Sequence, residues 1–342
     1  MTELLEPTAV LDATAVPAPV GRDELEARMA EHRRELTGYC YRMLGSSFDA
    51  EDAVQDTMVR AWRSLDKLQG PGALRSWLYR IATNVCLDLL DGRKRRALPV
   101  DMSDEPYAPV EASLAQTLPD GAWVEPALTG TVLGGDPADA AVLKDSVRLA
   151  FVAALQVLPP RQRAVLVLRE VLRWRAEEVA GLLDTTTAAV NSALQRARAT
   201  LAGHDGKARP GEVDADQAEL LAAYVDAFQR YDMAAFVKLL HDDAVQDMPP
   251  FAMWLRSAED VVAWMVGPGS GCRGSVLMPV ELNGSTAFAQ WKPDGSGGWA
   301  PFALQALEVH DGKISRITSF LDTGLFDLFG LPPTPPAELL RG

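Results

Sequence analysis

Ala176-Glu-Glu-Val-Ala-Gly-Leu-Leu-Asp-Thr-Thr-Thr-Ala-Ala-Val-Asn-Ser-Ala-Leu-Gln-Arg-Ala-Arg-Ala-Thr-Leu201 is the stretch on which the reading turns. Ala176 to Leu183 has the pattern of a short amphipathic helix, and Asp184-Thr185-Thr186 has the composition of a turn. From Thr187 a second helix follows, with Val190, Leu194, Ala197 and Leu201 falling on one face at helical spacing. Its other faces carry Thr187, Ala188, Asn191, Ser192, Gln195, Arg196 and Arg198, with Thr186 at its entrance. Two such helices form a helix-turn-helix, whose second helix enters the major groove with its N-terminal side chains at the base edges. Asn and Gln suit adenine, hydroxyls are permissive, and Arg can hold guanine or phosphate. On this stretch alone, an ordinary helical hairpin with a solvated polar face remains an alternative.

A net charge of −14 over 342 residues looks wrong for a DNA-binding protein, but it hides a partition. Residues 22–96 hold 14 basic and 12 acidic side chains, and residues 144–203 hold nine basic and five acidic. Between them, residues 97–140 hold eight acids and no base. Residues 211–342 hold eight bases against 18 acids. Two mildly basic modules are thus separated by an acidic tether and followed by an acidic domain, an asymmetry that speaks about partners. No apolar run approaches the ~18–20 residues a membrane helix needs. The stretch Met1 to Gly21 reads as a disordered tail without the basic start of a secretory signal, so a cytoplasmic protein is expected. Cys40, Cys86 and Cys272 lie far apart, and the four histidines are scattered. Neither a disulfide framework nor a metal site is expected, and no cofactor is implied.

Residues 22–96 read as helices with short breaks. One helix is expected from Asp23 to about Leu44, ended by Gly45-Ser46-Ser47. Asp49 is a candidate cap for the next, in which Val54, Met58, Ala61, Trp62 and Leu65 should face a core. A third is expected from about Leu74 to Lys94. The string Asp49-Ala-Glu-Asp-Ala-Val-Gln-Asp-Thr-Met-Val-Arg-Ala-Trp62 resembles region 2.2 of the ECF sigma factors of bacterial RNA polymerase. Leu74-Arg-Ser-Trp-Leu-Tyr-Arg-Ile-Ala-Thr-Asn-Val-Cys-Leu-Asp88, closed by Arg93-Lys94-Arg95-Arg96, resembles regions 2.3 and 2.4. Leu158-Pro-Pro-Arg-Gln-Arg163 and the helix-turn-helix resemble region 4, the −35 reader.

The resemblance implies two partners, core RNA polymerase and promoter DNA. The acid-rich face with Asp52, Gln55 and Asp56 would dock on the polymerase clamp helices, where complementary charge favours encounter and register. Trp77, Arg80 and Asn84 would read the −10 element of the opened strand, since aromatic platforms and cations suit single-stranded DNA. Trp77 is equally compatible with a core position. Loop 66–73 is a candidate edge of a pocket for a flipped base. Arg93, Lys94, Arg95 and Arg96 would hold phosphate. Residues 97–137 read as a flexible acidic linker, either a plain tether or an imitation of nucleic acid in a basic channel.

After a short linker, 204–213, the texture turns α+β. Asp214–Arg230 and Asp232–Leu240 read as helices, Ser257 starts another, and Asn283-Gly284 and Asp311-Gly312 mark two hairpins. Residues 214–331 resemble SnoaL-like domains, cone-shaped α+β barrels that include polyketide cyclases and ketosteroid isomerases. The final residues, 332–342, read as a Pro-rich tail. Asp243 or Asp247 as base with Tyr224 or Tyr231 as acid would make this domain an enzyme. Their alternative roles are loop acids and packing residues, and no catalytic residue is assigned. Trp254, Trp264, Trp291 and Phe302 are compatible with a core or with a pocket.

The expected architecture is therefore multidomain: two all-α modules, the second a helix-turn-helix, and a C-terminal SnoaL-like barrel. The expected function is an ECF sigma factor, not an enzyme, whose acidic third domain folds back on the basic modules and regulates them. The competing reading is a SnoaL-like enzyme or ligand sensor tethered to a DNA-binding module.

Overall fold

The computed structural model describes residues 22–68, 70–133, 140–203 and 216–340. The expected N-terminal tail, residues 134–137 of the linker and the 204–213 linker lie outside the described residues.

The first module consists of α1 (Arg22–Glu31), α2 (Arg33–Leu44), α3 (Ser47–Arg63) and α4 (Leu74–Leu90). The single helix expected up to Leu44 is broken at His32. Gly45, at φ 67°, closes α2 by returning its N–H to Tyr41 at 2.8 Å, a left-handed cap that glycine adopts without a Cβ penalty. The cap of α3 is Ser46, whose Oγ accepts from the Asp49 N–H at 3.1 Å. Asp49 is thereby freed for Arg93 and Arg96. Val54 and Ala61 are buried in the core, as their spacing predicts, and Leu78 and Val85 of α4 are buried with them. Trp62 does not: Ala61 takes the inward slot, and Trp62, about 100° further round, is 46% exposed and donates to Glu26.

The acidic linker departs most from expectation. Residues 97–133 form a packed strap with Leu98, Val100, Trp123, Val124, Ala127 and Val132 buried. Val124 N–H donates to Ala97 O at 3.1 Å, and Glu125 N–H donates to Gly45 O at 2.9 Å. A one-turn helix, α5 (Thr129–Val132), packs on α2 so closely that a Cβ on Gly38 would stand 2.2 Å from Val132 O. The strap shows no period because each apolar side chain inserts singly into a neighbour, and periodicity registers only a repeated face.

The second module comprises α6 (Ala140–Asp145), α7 (Leu149–Leu155), α8 (Pro160–Leu166), α9 (Ala176–Leu182) and α10 (Thr187–Ala202). Pro160 starts α8, where a missing N–H costs nothing. Thr186 caps α10 by accepting from the Ala189 N–H at 3.2 Å, and Val190, Leu194 and Ala197 are buried.

The third domain opens with α11 (Asp216–Gln229) and α12 (Met233–Leu239), the latter capped by Asp232. Then come β1 (Leu240–Asp247), β2 (Trp254–Arg256), α13 (Ala258–Val266), β3 (Val276–Leu282), β4 (Ser285–Pro293), β5 (Trp299–His310), β6 (Lys313–Phe320) and α14 (Gly324–Leu328). The strands lie in the order β2-β1-β6-β5-β4-β3, antiparallel except for β1 with β6. Both hairpins turn on paired left-handed residues, Asn283-Gly284 and Asp311-Gly312, the twist that two-residue loops require.

Strand alternation separates two cores. The inner face of the sheet packs Tyr224, Phe228, Phe236, Phe288 and Ile317 inside the cone. The outer face presents Trp254, Trp291, Leu304 and Phe320 to one continuous apolar cluster that includes the helical modules. The Pro-rich end is not a free tail up to residue 340: Pro335 is buried, and Pro332 O accepts from Trp291 Nε1 at 3.1 Å.

Candidate functional site

On α3, Asp52 and Gln55 are exposed. Asp56, half-buried, is paired with Arg60 at 2.8 Å. The three residues share one outward face, because a 3–4 residue step returns to the same side of a helix.

On α4, Asn84 is exposed, whereas Trp77 and Arg80 are half-buried and line a cleft of about 770 Å³ shared with α9. Arg80 is ion-paired with Asp184, the turn residue of the helix-turn-helix. Beneath that pair, Tyr79 packs against Trp174 of the second module, with ring centroids 5.0 Å apart. The Arg75 guanidinium lies 5.3 Å from both rings and is held by Glu35 at 2.9 Å. Burial raises the Glu35 pKa, but hydrogen bonds with His32 and Arg75 outweigh it, and the carboxyl sits below its usual range. The Trp77–Arg80 side of α4 thus faces the second module, while Asn84 stays exposed.

The basic run divides. Lys94 and Arg95 are exposed, and Arg93 is exposed but paired with Asp49 at 2.6 Å. Arg96, expected to hold phosphate, is 9% exposed and bonded to Asp49 (2.8 Å), Glu125 (3.2 Å) and Trp123 O (2.9 Å). The strap supplies two of those acceptors, so Arg96 anchors the strap in this arrangement. On the helix-turn-helix, Thr186, Thr187, Ala188, Asn191, Ser192, Gln195, Arg196 and Arg198 are all exposed. Arg196 donates to Ser192 at 2.7 Å and Arg198 to Glu170 at 2.5 Å, which steadies two long side chains.

Three residues that sequence reasoning missed tie the modules together. Arg42 of α2, 1% exposed, donates to Ser146 Oγ at 2.7 and 3.0 Å and to Leu143 O at 3.3 Å. Arg163 of α8, 3% exposed, donates to Met43 O in α2 and to Gln156 O at 3.0 Å. Burial pushes both guanidinium pKa values down to about 10, so both remain charged at neutral pH. The third is Asn283 at the tip of the β3–β4 hairpin. Its Nδ2 donates to Tyr41 Oη (2.6 Å) and Val147 O (2.7 Å), and its Oδ1 accepts from the Ala127 N–H (3.0 Å). One side chain thereby joins the first module, the strap and the second module. The available signal for the arginines was a lone charge in an apolar run, as in Tyr39-Cys-Tyr-Arg-Met-Leu44.

In the cone, Trp264, Phe302 and Tyr224 line a cavity, whereas Trp254 and Trp291 belong to the outer face. Asp243 is exposed. Asp247 lies on the outer face, fully buried, with burial raising its pKa to about 7. Tyr231 donates to Met265 O at 2.5 Å. The candidate acid–base groups are therefore not assembled about one point. Among the described residues there is no cluster of His, Cys, Asp and Glu that could hold a metal ion, and no helix long and apolar enough to cross a membrane.

Comparison with known proteins agrees with this layout. Residues 29–96 match Sigma-70 region 2, residues 148–201 match Sigma-70 region 4, and residues 221–317 match the SnoaL-like domain. The chain is 41% identical over 323 residues to the ECF RNA polymerase sigma factor SigG of Mycobacterium tuberculosis, covering 92% of this chain and 86% of that protein. It is 29% identical over 299 residues to SigJ of the same species, covering 83% and 88%. The crystal structure of SigJ superposes with a TM-score of 0.58 at 24% identity, covering 91% of this chain and 99% of that one, a likeness of fold.

Proposed function

Since this chain belongs to the ECF RNA polymerase sigma factors, we propose that it docks on core polymerase through Asp52, Gln55 and Asp56 and carries it to promoters. The −10 element would be read from α4 by Trp77, Arg80 and Asn84, with Arg93, Lys94 and Arg95 on the flanking phosphates. The −35 element would be read from Thr186, Thr187, Ala188, Asn191, Ser192, Gln195, Arg196 and Arg198. Of these surfaces, the α3 face and α10 are open in this arrangement, while Arg80 and Trp77 face α9. The C-terminal domain, by this reading, is a regulator that holds the two modules together through Asn283 and its outer apolar face. Reading the −10 strand then requires α4 and α9 to part.

The polymerase reading is carried by the 41% identity to an ECF sigma factor over 92% of the chain, and the regulatory reading by the bonding of Asn283 to both modules and to the strap. The test is fluorescence anisotropy of the labelled full chain titrated with purified core polymerase. Asp52→Ala with Asp56→Ala should weaken binding at least about tenfold, the loss of charged partners at a docking face. An unchanged affinity would place docking elsewhere.

A further inference from the structure

Where the first module, the strap and the second module meet, the chain leaves a cleft of about 810 Å³. Its walls are the end of α4 with residues 93–96, the strap at 119–122, and residues 156–160 with Arg163. Five bases line it, against two acids, Asp49 and Asp120. Asp49 is engaged by Arg93 and Arg96, and Glu125 is the second carboxylate on Arg96. That leaves Lys94, Arg95 and Arg163 against the single carboxylate of Asp120. Lys94 and Arg95 are exposed and make no hydrogen bond or ion pair with a described residue.

Arg163 differs from the other two because it is buried. It is 3% exposed, and its guanidinium meets only uncharged acceptors: Met43 O, Gln156 Oε1, Gln156 O at 3.0 Å and Leu158 O at 3.1 Å. Its Nε is buried with no acceptor at all among the described residues. A buried charge without a counter-charge is costly, and low-dielectric walls focus its field into the cleft beside it. Burial lowers the Arg163 pKa to about 10, and the charge of Arg95 pushes in the same direction. One guanidinium from each module therefore repels the other, and Asp120 is the only acid that the strap places in the cleft wall.

We propose that this cleft binds a small diphosphate-bearing anion, held by Lys94 and Arg95 above the buried Arg163 guanidinium, and that the anion draws the two modules together against the strap. Chloride or a single carboxylate would neutralise one of the three cations. A diphosphate spreads several charges over several oxygens, and guanidinium groups match phosphate oxygens in pairs. Asp120 tempers the field without cancelling it. Binding stands on the charges of the closed chain alone. Only its consequence, that bound diphosphate withholds Lys94 and Arg95 from promoter phosphates, rests on the proposed sigma function.

The test is equilibrium dialysis of the full chain at an ionic strength held constant with sodium chloride. Pyrophosphate and ADP should bind and adenosine should not. ADP binding more than about tenfold tighter than pyrophosphate would identify a nucleotide as the source of the diphosphate, and similar affinities the free anion. Lys94→Gln with Arg95→Gln should weaken pyrophosphate binding at least about thirtyfold, through the loss of two charge-assisted contacts. Asp120→Asn should strengthen it by about threefold, the effect of removing one exposed like charge. In nuclear magnetic resonance spectra of arginine-labelled protein, the Arg163 Nε–H signal should shift with pyrophosphate and stay in place with chloride. A wild type that binds neither pyrophosphate nor ADP overturns the proposal, as does adenosine binding as tightly as ADP or a double variant that binds like the wild type. Loss of binding in the double variant, with Asp120→Asn neutral and the Arg163 signal unmoved, would reduce the basic run to a solvated patch and refute the composite site. No polymerase or promoter DNA enters these measurements, so their failure is distinct from failure of the sigma reading.

Discussion

Replacing Asn283 with alanine should release the two helical modules from the C-terminal domain while leaving each of them folded. Asn283 is 3% exposed, and its side chain makes three hydrogen bonds, all to residues outside its own domain. Tyr41 loses little, because its hydroxyl still donates to Glu125 O at 2.8 Å. Ala127 and Val147 are themselves 1% and 0% exposed, so the Ala127 N–H and the Val147 carbonyl would each be left buried without this partner. Two such groups cost about 2–6 kcal/mol together, at ~1–3 kcal/mol each. That shifts the closed-to-open equilibrium by roughly 30-fold to more than 10⁴-fold, at about 1.4 kcal/mol per decade. Single-molecule energy transfer between dyes on α3 and on the helix-turn-helix would read the equilibrium directly. Asn283→Ala should broaden and lengthen the distance distribution, and the cone should stay folded, destabilised by no more than the roughly 1–2 kcal/mol that alanine costs at this left-handed turn position. An unchanged distance distribution would refute the assignment of Asn283 as the tie.

Other perturbations report on separate parts of the structure. Burial lifts the Asp247 carboxyl to about 7, against an ordinary 3.8, although Arg316 beside it pulls the other way. The folded chain therefore keeps a proton that the unfolded chain releases between about pH 4 and 7. Stability from this group is full below that window and is lost as pH rises through about 7. Asp247→Asn should flatten that dependence in denaturant titrations and stabilise the protein at pH 8 by on the order of 2–4 kcal/mol. Trp174→Ala removes a 6% exposed ring packed on Tyr79 and Arg75, and should weaken packing of α9 on α4 by about 3–5 kcal/mol, measured as faster hydrogen exchange at that junction. Asn191→Ala with Gln195→Ala should relax base preference at the −35 element by roughly 1–3 kcal/mol per lost contact, seen in binding to a randomised duplex, and leave the salt dependence unchanged.

The parts legible in the sequence are those with a local signature. The helix-turn-helix was readable from the spacing of Val190, Leu194 and Ala197, and the hairpins from Asn283-Gly284 and Asp311-Gly312. What was not legible acts between distant segments. Asn283 reads as a turn residue, and it is one; its second use, 242 positions from Tyr41, leaves no local mark. Arg96 belongs to a run that reads as phosphate-binding, but its neighbours in space are Asp49 and Glu125, which neutralise it. The strap, acidic and Pro-rich, looks disordered by composition, because composition does not register that Val124 and Ala127 each have a waiting site. Its acids are not idle either: Glu125 holds Arg96, and burial raises the pKa of that carboxyl against the pull of the arginine.

The measurement that tests the central claim most directly is transcription by purified bacterial core polymerase supplemented with this protein on a library of candidate promoter fragments. The account predicts specific start sites that require the protein and disappear with Asp52→Ala plus Asp56→Ala, and stronger initiation with Asn283→Ala. Absence of specific initiation with both the wild type and Asn283→Ala would contradict it.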